Sequence, residues 1–280
     1  MLQLFHDTCN DCSTIVTKKY STSFSLGIRL FNRKFRQPIY GIYGFVRFAD
    51  EIVDTFYDYP QKDLLQRFKV DTYQAIEDGI SLNPILQSFQ KVVNHYKVDH
   101  ELIKAFFDSM EKDLYEVAYE NHSYQEYIYG SAEVVGLMCL RVFCDNNNEM
   151  FQKLKASAKS LGAAFQKINF LRDMKSDFED RGRSYFPNIN FKSFADQEKK
   201  LIEEDIQKDF DNAYLGIIQL PKGVRLGVYL AYIYYTSLFK KIKNLPAASI
   251  MNARIRVKDS KKMYLLIRST FVEKFNLLKS

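Results

Sequence analysis

Asn169, Asp173 and Asp177 recur every fourth residue inside Gln166–Pro187, QKINFLRDMKSDFEDRGRSYFP, with Arg172 beside them. On a helix, residues four apart stack on one face, so three oxygen-bearing side chains form a ladder about 12 Å long at roughly 1.5 Å per residue. Stacked like charges cost an isolated helix a few tenths of a kcal/mol per pair. A hard divalent cation would offset that cost, because Mg²⁺ prefers carboxylate, water and phosphate oxygens. The plainer alternative is a solvated polar face on which Lys167, Lys175 and Arg172 act as counter-charges. A second pair, Asp50 and Asp54, has the same spacing in Arg47-Phe48-Ala49-Asp50-Glu51-Ile52-Val53-Asp54. It follows the apolar run Ile39–Val46, where carboxylates are costly unless a cation or metal compensates them. Two such ladders facing one another would hold Mg²⁺ (or Mn²⁺) between them. With arginines nearby they would grip a diphosphate and stabilise it as a leaving group. An apolar, aromatic remainder would suit an isoprenoid tail and a carbocation, with Phe24, Tyr43, Tyr129 and Phe165 as ring candidates.

The elements that must position these groups read as helices almost throughout. Asp7 is expected to cap a helix to about Tyr20, and Ser21-Thr22-Ser23-Phe24-Ser25 reads as a break. Pro38 suits the first turn of a helix over 39–57. Pro60 opens one to Asp78, ended by Gly79, and Asn83-Pro84 starts one to Tyr96. Further helices are expected over 99–119, from a Ser123 capping box to Phe143, and over 149–179, 192–213, 222–244 and 259–278. Helices 39–57 and 124–143 carry more than one apolar stripe and should sit centrally. No stretch alternates as a strand does. Without repeats or a Gly/Ser-rich linker, the 280 residues read as one all-α domain, 1–280.

Composition narrows the function classes. The chain carries 19 Tyr, 23 Phe and no Trp, so its interior must be rich in rings. The net charge is +6, with Arg254, Arg256, Lys258, Lys261 and Lys262 clustered late, and no nucleic-acid-binding motif accompanies it. Cys9 and Cys12 have zinc-like spacing, but Cys139 and Cys144 do not complete a set. The amino terminus turns polar at once, unlike a signal peptide. Reduced thiols and a cytoplasmic location are therefore expected. The most apolar window, Leu226–Phe239, is too short to span a bilayer and reads as a core helix. For amphipathic 259–278 two readings stand, bundle packing and transient contact with the inner membrane face for product release.

Four segments in order carry a strong resemblance to the squalene and phytoene synthase family of head-to-head prenyltransferases. They are Ser21-Thr22-Ser23-Phe24-Ser25, Tyr40-Gly-Ile-Tyr43 through Asp50 to Asp54, Tyr127-Ile-Tyr129-Gly-Ser-Ala132-Glu-Val-Val135-Gly136, and Gln166–Pro187. The resemblance spans roughly residues 13 to 275, and the Arg172–Pro187 run is most similar to the phytoene synthase branch. It implies an all-α isoprenoid-synthase fold with a central cavity. It also implies that Asp50, Asp54, Asn169, Asp173 and Asp177 hold Mg²⁺. Ser23, Arg47, Arg172 and Tyr185 would bind diphosphate, with Arg183 a weaker candidate. Phe24, Tyr43, Tyr129, Ala132, Val135, Gly136, Leu161, Phe165 and Gln166 would line the cavity.

The reaction implied is condensation of two geranylgeranyl diphosphates to phytoene through a cyclopropylcarbinyl diphosphate, without a nicotinamide cofactor. Asp50, Asp54, Asp173, Asp177, Tyr43 and Arg47 would carry the catalysis. A squalene or dehydrosqualene synthase using farnesyl diphosphate is the alternative, and a non-catalytic helical binding or assembly protein is a second. Terpene cyclases and chain-elongating synthases share the acidic ladders but not the Ser-Phe-Ser and Arg-Ser-Tyr-Phe-Pro segments. A Ser/His/Asp hydrolase has no support, since His6, His95, His100 and His122 lie outside the motifs. Two departures stand out. Tyr20 and Thr22 occupy places where relatives carry His and Lys, and Glu133 replaces a small residue. At Ile28 a bulky aromatic that would truncate the cavity is missing, which suits a longer tail.

Overall fold

The structure, a computed structural model, describes residues 1–115, 121–181, 185–187, 194–251, 255–257 and 259–274. Its helices are α1 (Leu2–Tyr20), α2 (Thr22–Arg29), α3 (Arg33–Asp54), α4 (Gln61–Asp78), α5 (Pro84–Tyr96), α6 (His100–Asp113) and α7 (Asn121–Ile128). A π turn over Tyr129–Glu133 leads into α8 (Val134–Cys144). Then come α9 (Asn148–Arg181), α10 (Asp196–Ile217), α11 (Lys222–Lys243), α12 (Ala247–Ile250) and α13 (Asp259–Lys274). No strand occurs among the described residues.

Local chemistry sets most boundaries. Asn83 accepts from the Ile85 and Leu86 amides with Pro84 at the first helical position, and Asp99 accepts from Glu101. Gly79 ends α4 in the left-handed region at φ 69°. Several expected boundaries are corrected. The break expected over 21–25 is confined to Ser21, which is extended: its Oγ accepts from the Phe24 amide at 3.2 Å and starts α2 at Thr22. Helix α3 begins at Arg33, so Pro38 sits inside it and removes one backbone donor there. The helix expected over 99–119 stops at Asp113. The one expected from Ser123 begins at Asn121 and is interrupted by the π turn.

Helix α3 runs through the middle, packed against α1, α4, α5, α6 and α8. At its centre Phe45 is fully buried, stacked on Phe89 at 3.8 Å between centroids and flanked by Phe106 at 5.3 Å and Phe107 at 5.6 Å. Truncating such a ring to Ala typically costs about 3–5 kcal/mol. A second core forms where α9 meets α10 and α11, around Phe170, Phe210 and Phe239. Helix α9, 34 residues long, extends about 50 Å at 1.5 Å per residue and is the longest wall of the molecule. The π turn presses against it. A Cβ added to Gly162 would lie 2.7 Å from the Ala132 carbonyl oxygen, so only glycine admits this approach.

Leu226–Phe239 is not the most apolar stretch. Among the described residues, Ser123–Cys144 is the segment long and apolar enough to cross a membrane by composition, and 61% of its apolar window is buried in the bundle. Helix α13 packs on α11 and buries Leu265 and Ser269, while Tyr264 and Ile267 stay exposed.

Candidate active site

A cavity of about 660 Å³ runs between α3, α8, α9, α10 and α11, well inside the range of roughly 300–1,000 Å³ usual for small-molecule sites. One end is polar. Helix α3 contributes Arg47, Asp50 and Asp54 there, and α9 contributes Asn169, Arg172, Asp173 and Asp177, with Tyr185 beside them. The two ladders read from spacing therefore face a common space. Below them Phe24, Tyr43, Phe165 and Tyr235 form a ring-lined waist. Phe165 stacks on Tyr235 at 3.9 Å, and Phe24 lies 6.0 Å from Tyr43 and 6.4 Å from both Phe165 and Tyr235. Ala132, Val135, Gly136, Leu161 and Gln166 line the walls, and Ile28 lies among the apolar lining deeper down.

The charged groups already hold defined partners. Arg172 Nη2 donates to Asp173 Oδ2 at 2.5 Å, and its Nε lies 3.1 Å from both carboxylate oxygens. Burial works to lower the Arg172 pKa, but these bonds outweigh it and the guanidinium is pushed upward. Arg47 pairs with Glu51, one turn along α3, and its guanidinium carbon sits 4.3 Å from the Tyr20 ring centroid. Tyr43 is pushed up to about 12, first by burial and then by Asp50, against the opposing pull of Arg47 and a Ser21 hydroxyl bond. Its phenol keeps its proton at any working pH.

The donor set suits Mg²⁺. Among the described residues no three acidic, His or Cys side chains gather tightly enough to enclose an ion. Carboxylates from two helices nevertheless border one cavity with Asn169 between them. Mg²⁺ characteristically takes one or two protein carboxylates and fills its octahedron with water and substrate phosphate, so an open two-sided arrangement fits it better than a closed cage would.

Two sequence candidates do not line the main cavity. Ser23 borders a small recess that adjoins the main cavity through Phe24, Arg172 and Tyr235, and Ser21 lines both. Tyr129 does not border either cavity. Its ring lies 5.0 Å from the Lys159 ammonium, which pairs with Glu133 at 3.0 Å. Glu133 thus serves an ion pair between the π turn and α9. Arg183 lies outside the described residues, as do Arg254 and Lys258.

Sequence reasoning missed Asp113 and Tyr235, and it noted Tyr20 and Tyr127 only as a departure and a motif residue, whereas all four line the cavity. Tyr235 donates to Asn169 Oδ1 at 3.3 Å, and Tyr127 Oη donates to the buried Asp113 Oδ2 at 2.9 Å. The Tyr235 phenol is raised by burial above all, in part against the pull of Arg172. A tyrosine on the aromatic-rich α11 carries no signal that singles it out, and Asp113 has only Glu116, three residues on, as an acidic neighbour at helical spacing, a pairing common on charged helix surfaces.

The family model described as "Squalene/phytoene synthase" matches residues 17–261. Phytoene synthase 1, chloroplastic, of Solanum lycopersicum is 25% identical over 265 residues, covering 87% of this chain and 62% of its own length. The 4,4'-diapophytoene synthase of Staphylococcus haemolyticus is 26% identical over 196 residues, covering 69% of this chain and 67% of its own length. The chain thus spans less than two thirds of the plant protein. A dehydrosqualene synthase crystal structure superposes with a TM-score of 0.81 at 19% identity, covering 96% of this chain and 98% of that one. A squalene synthase from Alicyclobacillus acidocaldarius gives 0.74 at 18% identity, covering 85% and 94%. The chain therefore has the same all-α fold as these two structures.

Proposed function

The chain belongs to the squalene/phytoene synthase family, and on that premise we propose that it joins two geranylgeranyl diphosphates head to head to make phytoene. The observation that carries the C20 choice is cavity depth. From Asn169, the deepest rung of the ladder, to Leu154, which also lines the cavity, α9 advances fifteen residues, or about 22 Å. An extended C20 tail has sixteen backbone carbons and spans about 20 Å at roughly 1.3 Å per bond, against about 15 Å for a C15 tail. Ile28 in place of a bulky ring leaves this depth open.

Asp50, Asp54, Asn169, Asp173 and Asp177 would hold Mg²⁺. When bound, the metal would supply positive charge to the departing diphosphate. Arg47 and Arg172 would orient the same group, Arg172 through the guanidinium donors that its bonds to Asp173 leave over. As the allylic carbon–oxygen bond breaks, the electron pair leaves with diphosphate. The cation left behind would lie among the faces of Phe24, Tyr43, Phe165 and Tyr235, each worth on the order of 0.5–2 kcal/mol. Attack by the second substrate's double bond, with proton loss, gives the cyclopropylcarbinyl diphosphate. The buried waist would keep water from that cation. A second ionisation, rearrangement and proton loss, with released diphosphate as acceptor, would complete phytoene without NADPH. A cytoplasmic enzyme meeting the inner membrane face on product release accords with this reading.

The second reading, C15 coupling, is favoured by the similarity to a 4,4'-diapophytoene synthase. Purified protein offered C15 and C20 allylic diphosphates with Mg²⁺, with and without NADPH, decides between them by mass spectrometry of the hydrocarbon. A C40 product without NADPH is expected. A C30 product from farnesyl diphosphate alone, or a strict NADPH requirement, would overturn the C20 reading.

A further inference from the structure

The deep end of the cavity is closed by a wall of rings. Phe31, just past the end of α2, and Phe143, near the end of α8, both line the cavity and meet edge to face at 5.2 Å between centroids. Both are buried, at 5% and 7% exposure. Each is braced from behind. Phe143 meets Phe35 edge to face at 6.4 Å. Phe31 fills the notch above Gly227, where an added Cβ would lie 2.3 Å from its Cε1 and 2.5 Å from the Gly27 carbonyl oxygen. The notch exists only because α2 and α11 meet at glycines, so the ring has no room to retreat toward α11.

We infer that the Phe31–Phe143 pair is the stop that sets prenyl tail length in this chain. The inference rests on the prenyl-coupling reading above and adds the residues that determine its specificity. Helix α8 runs from the π turn near the polar end down to Phe143, and Cys139 lines the cavity one turn above it. Four residues of helix advance about 6 Å, and one isoprene unit adds four backbone carbons, about 5 Å. A ring at Cys139 would therefore raise the floor by about one unit. A smaller side chain at Phe143 would lower it toward Phe35.

The test uses the purified full chain with Mg²⁺ and C15, C20 and C25 allylic diphosphates, each offered in competition with C20. Phe143→Leu should raise the C25 to C20 product ratio about tenfold, and Cys139→Phe should raise the C15 to C20 ratio by a similar factor, as expected when a pocket gains or loses a few carbons' room. These shifts are expected whichever length the native chain prefers. Cys139→Phe fills open space, so it carries the test if Phe143→Leu does not fold. Thermal shifts with unreactive thiolo-diphosphates of the three lengths provide a readout independent of turnover. If the native chain makes no hydrocarbon, the coupling reading fails while these shifts still rank tail length against the wall. Folded variants whose length ratios, in products or in thermal shifts, stay within about twofold of native would overturn the assignment.

Discussion

Arg172 closes its fork on Asp173, the residue next to it in the chain, rather than on any acid across the cavity. The pair therefore holds one rung of the α9 ladder in a fixed orientation while leaving its neighbours Asn169 and Asp177 on the same face. Lysine would retain the charge but lose the fork. Arg172→Lys should lower kcat/KM about tenfold or more, equivalent to about 1.4 kcal/mol per decade, with the fold intact by circular dichroism. Unchanged steady-state kinetics would show that the fork orients nothing that matters to turnover.

Removing a proposed ligand should cost more. Asp50→Ala and Asp173→Ala are each expected to lower turnover by about two decades or more, roughly 3 kcal/mol, while thermal midpoints move little. An acid that merely decorated a helix surface would contribute at most about 1 kcal/mol of stability and nothing to rate. Rates measured alongside melting curves separate the two.

Chelation makes a companion prediction. Activity should vanish in excess EDTA and return with added Mg²⁺, since the proposed donor set would rely on substrate phosphate to complete the metal's shell. Titration of activity against free Mg²⁺ reads this directly, and full turnover in chelator would remove the metal from the proposal.

Tyr235 joins Asn169 to the ring-lined waist through one hydroxyl. Tyr235→Phe keeps the stack on Phe165 and deletes only that bond. A neutral hydrogen bond is worth about 1 kcal/mol, so the loss should be about fivefold in kcat/KM. Tyr235→Ala removes the ring as well and should fall much further. Equal effects of the two variants would deny the ring its role beside the cation.

Tyr43 has its folded pKa pushed up to about 12, mainly by burial, against an ordinary value near 10. The folded state therefore releases this proton later than the unfolded chain does. Its contribution is intact below pH 10 and is lost as pH rises from 10 to 12, by on the order of 2 kcal/mol. Urea unfolding across that window should show a smaller alkaline fall in Tyr43→Phe than in the native chain. Parallel slopes would mean that other tyrosines carry the effect.

The acidic ladders were legible because a spacing of four puts charges on one helix face whatever the tertiary structure does. Caps at Asn83 and Asp99 were legible because they act within one turn. The start of α2 was not, since Ser and Thr are weak helix formers and Ser21-Thr22-Ser23 reads equally as a loop; the Ser21 cap decides it. The π turn left no sequence mark, because one extra residue in a helix needs no particular side chain. Tyr235 and Asp113 became visible only when α11 and α6 were folded against α9 and α7, since their partners are 66 and 14 residues away.

On the coupling reading, a cavity floored by Phe31 and Phe143 leaves the acidic end, where the diphosphates would sit, as the way out as well as the way in. The proposed hydrocarbon would back out past the carboxylates that would admit charged substrate, into water that does not dissolve it. Departure would then govern the steady state. A pre-steady-state burst of hydrocarbon, about one equivalent per chain, should precede slower turnover. Detergent micelles or lipid vesicles should quicken the slow phase without altering the burst.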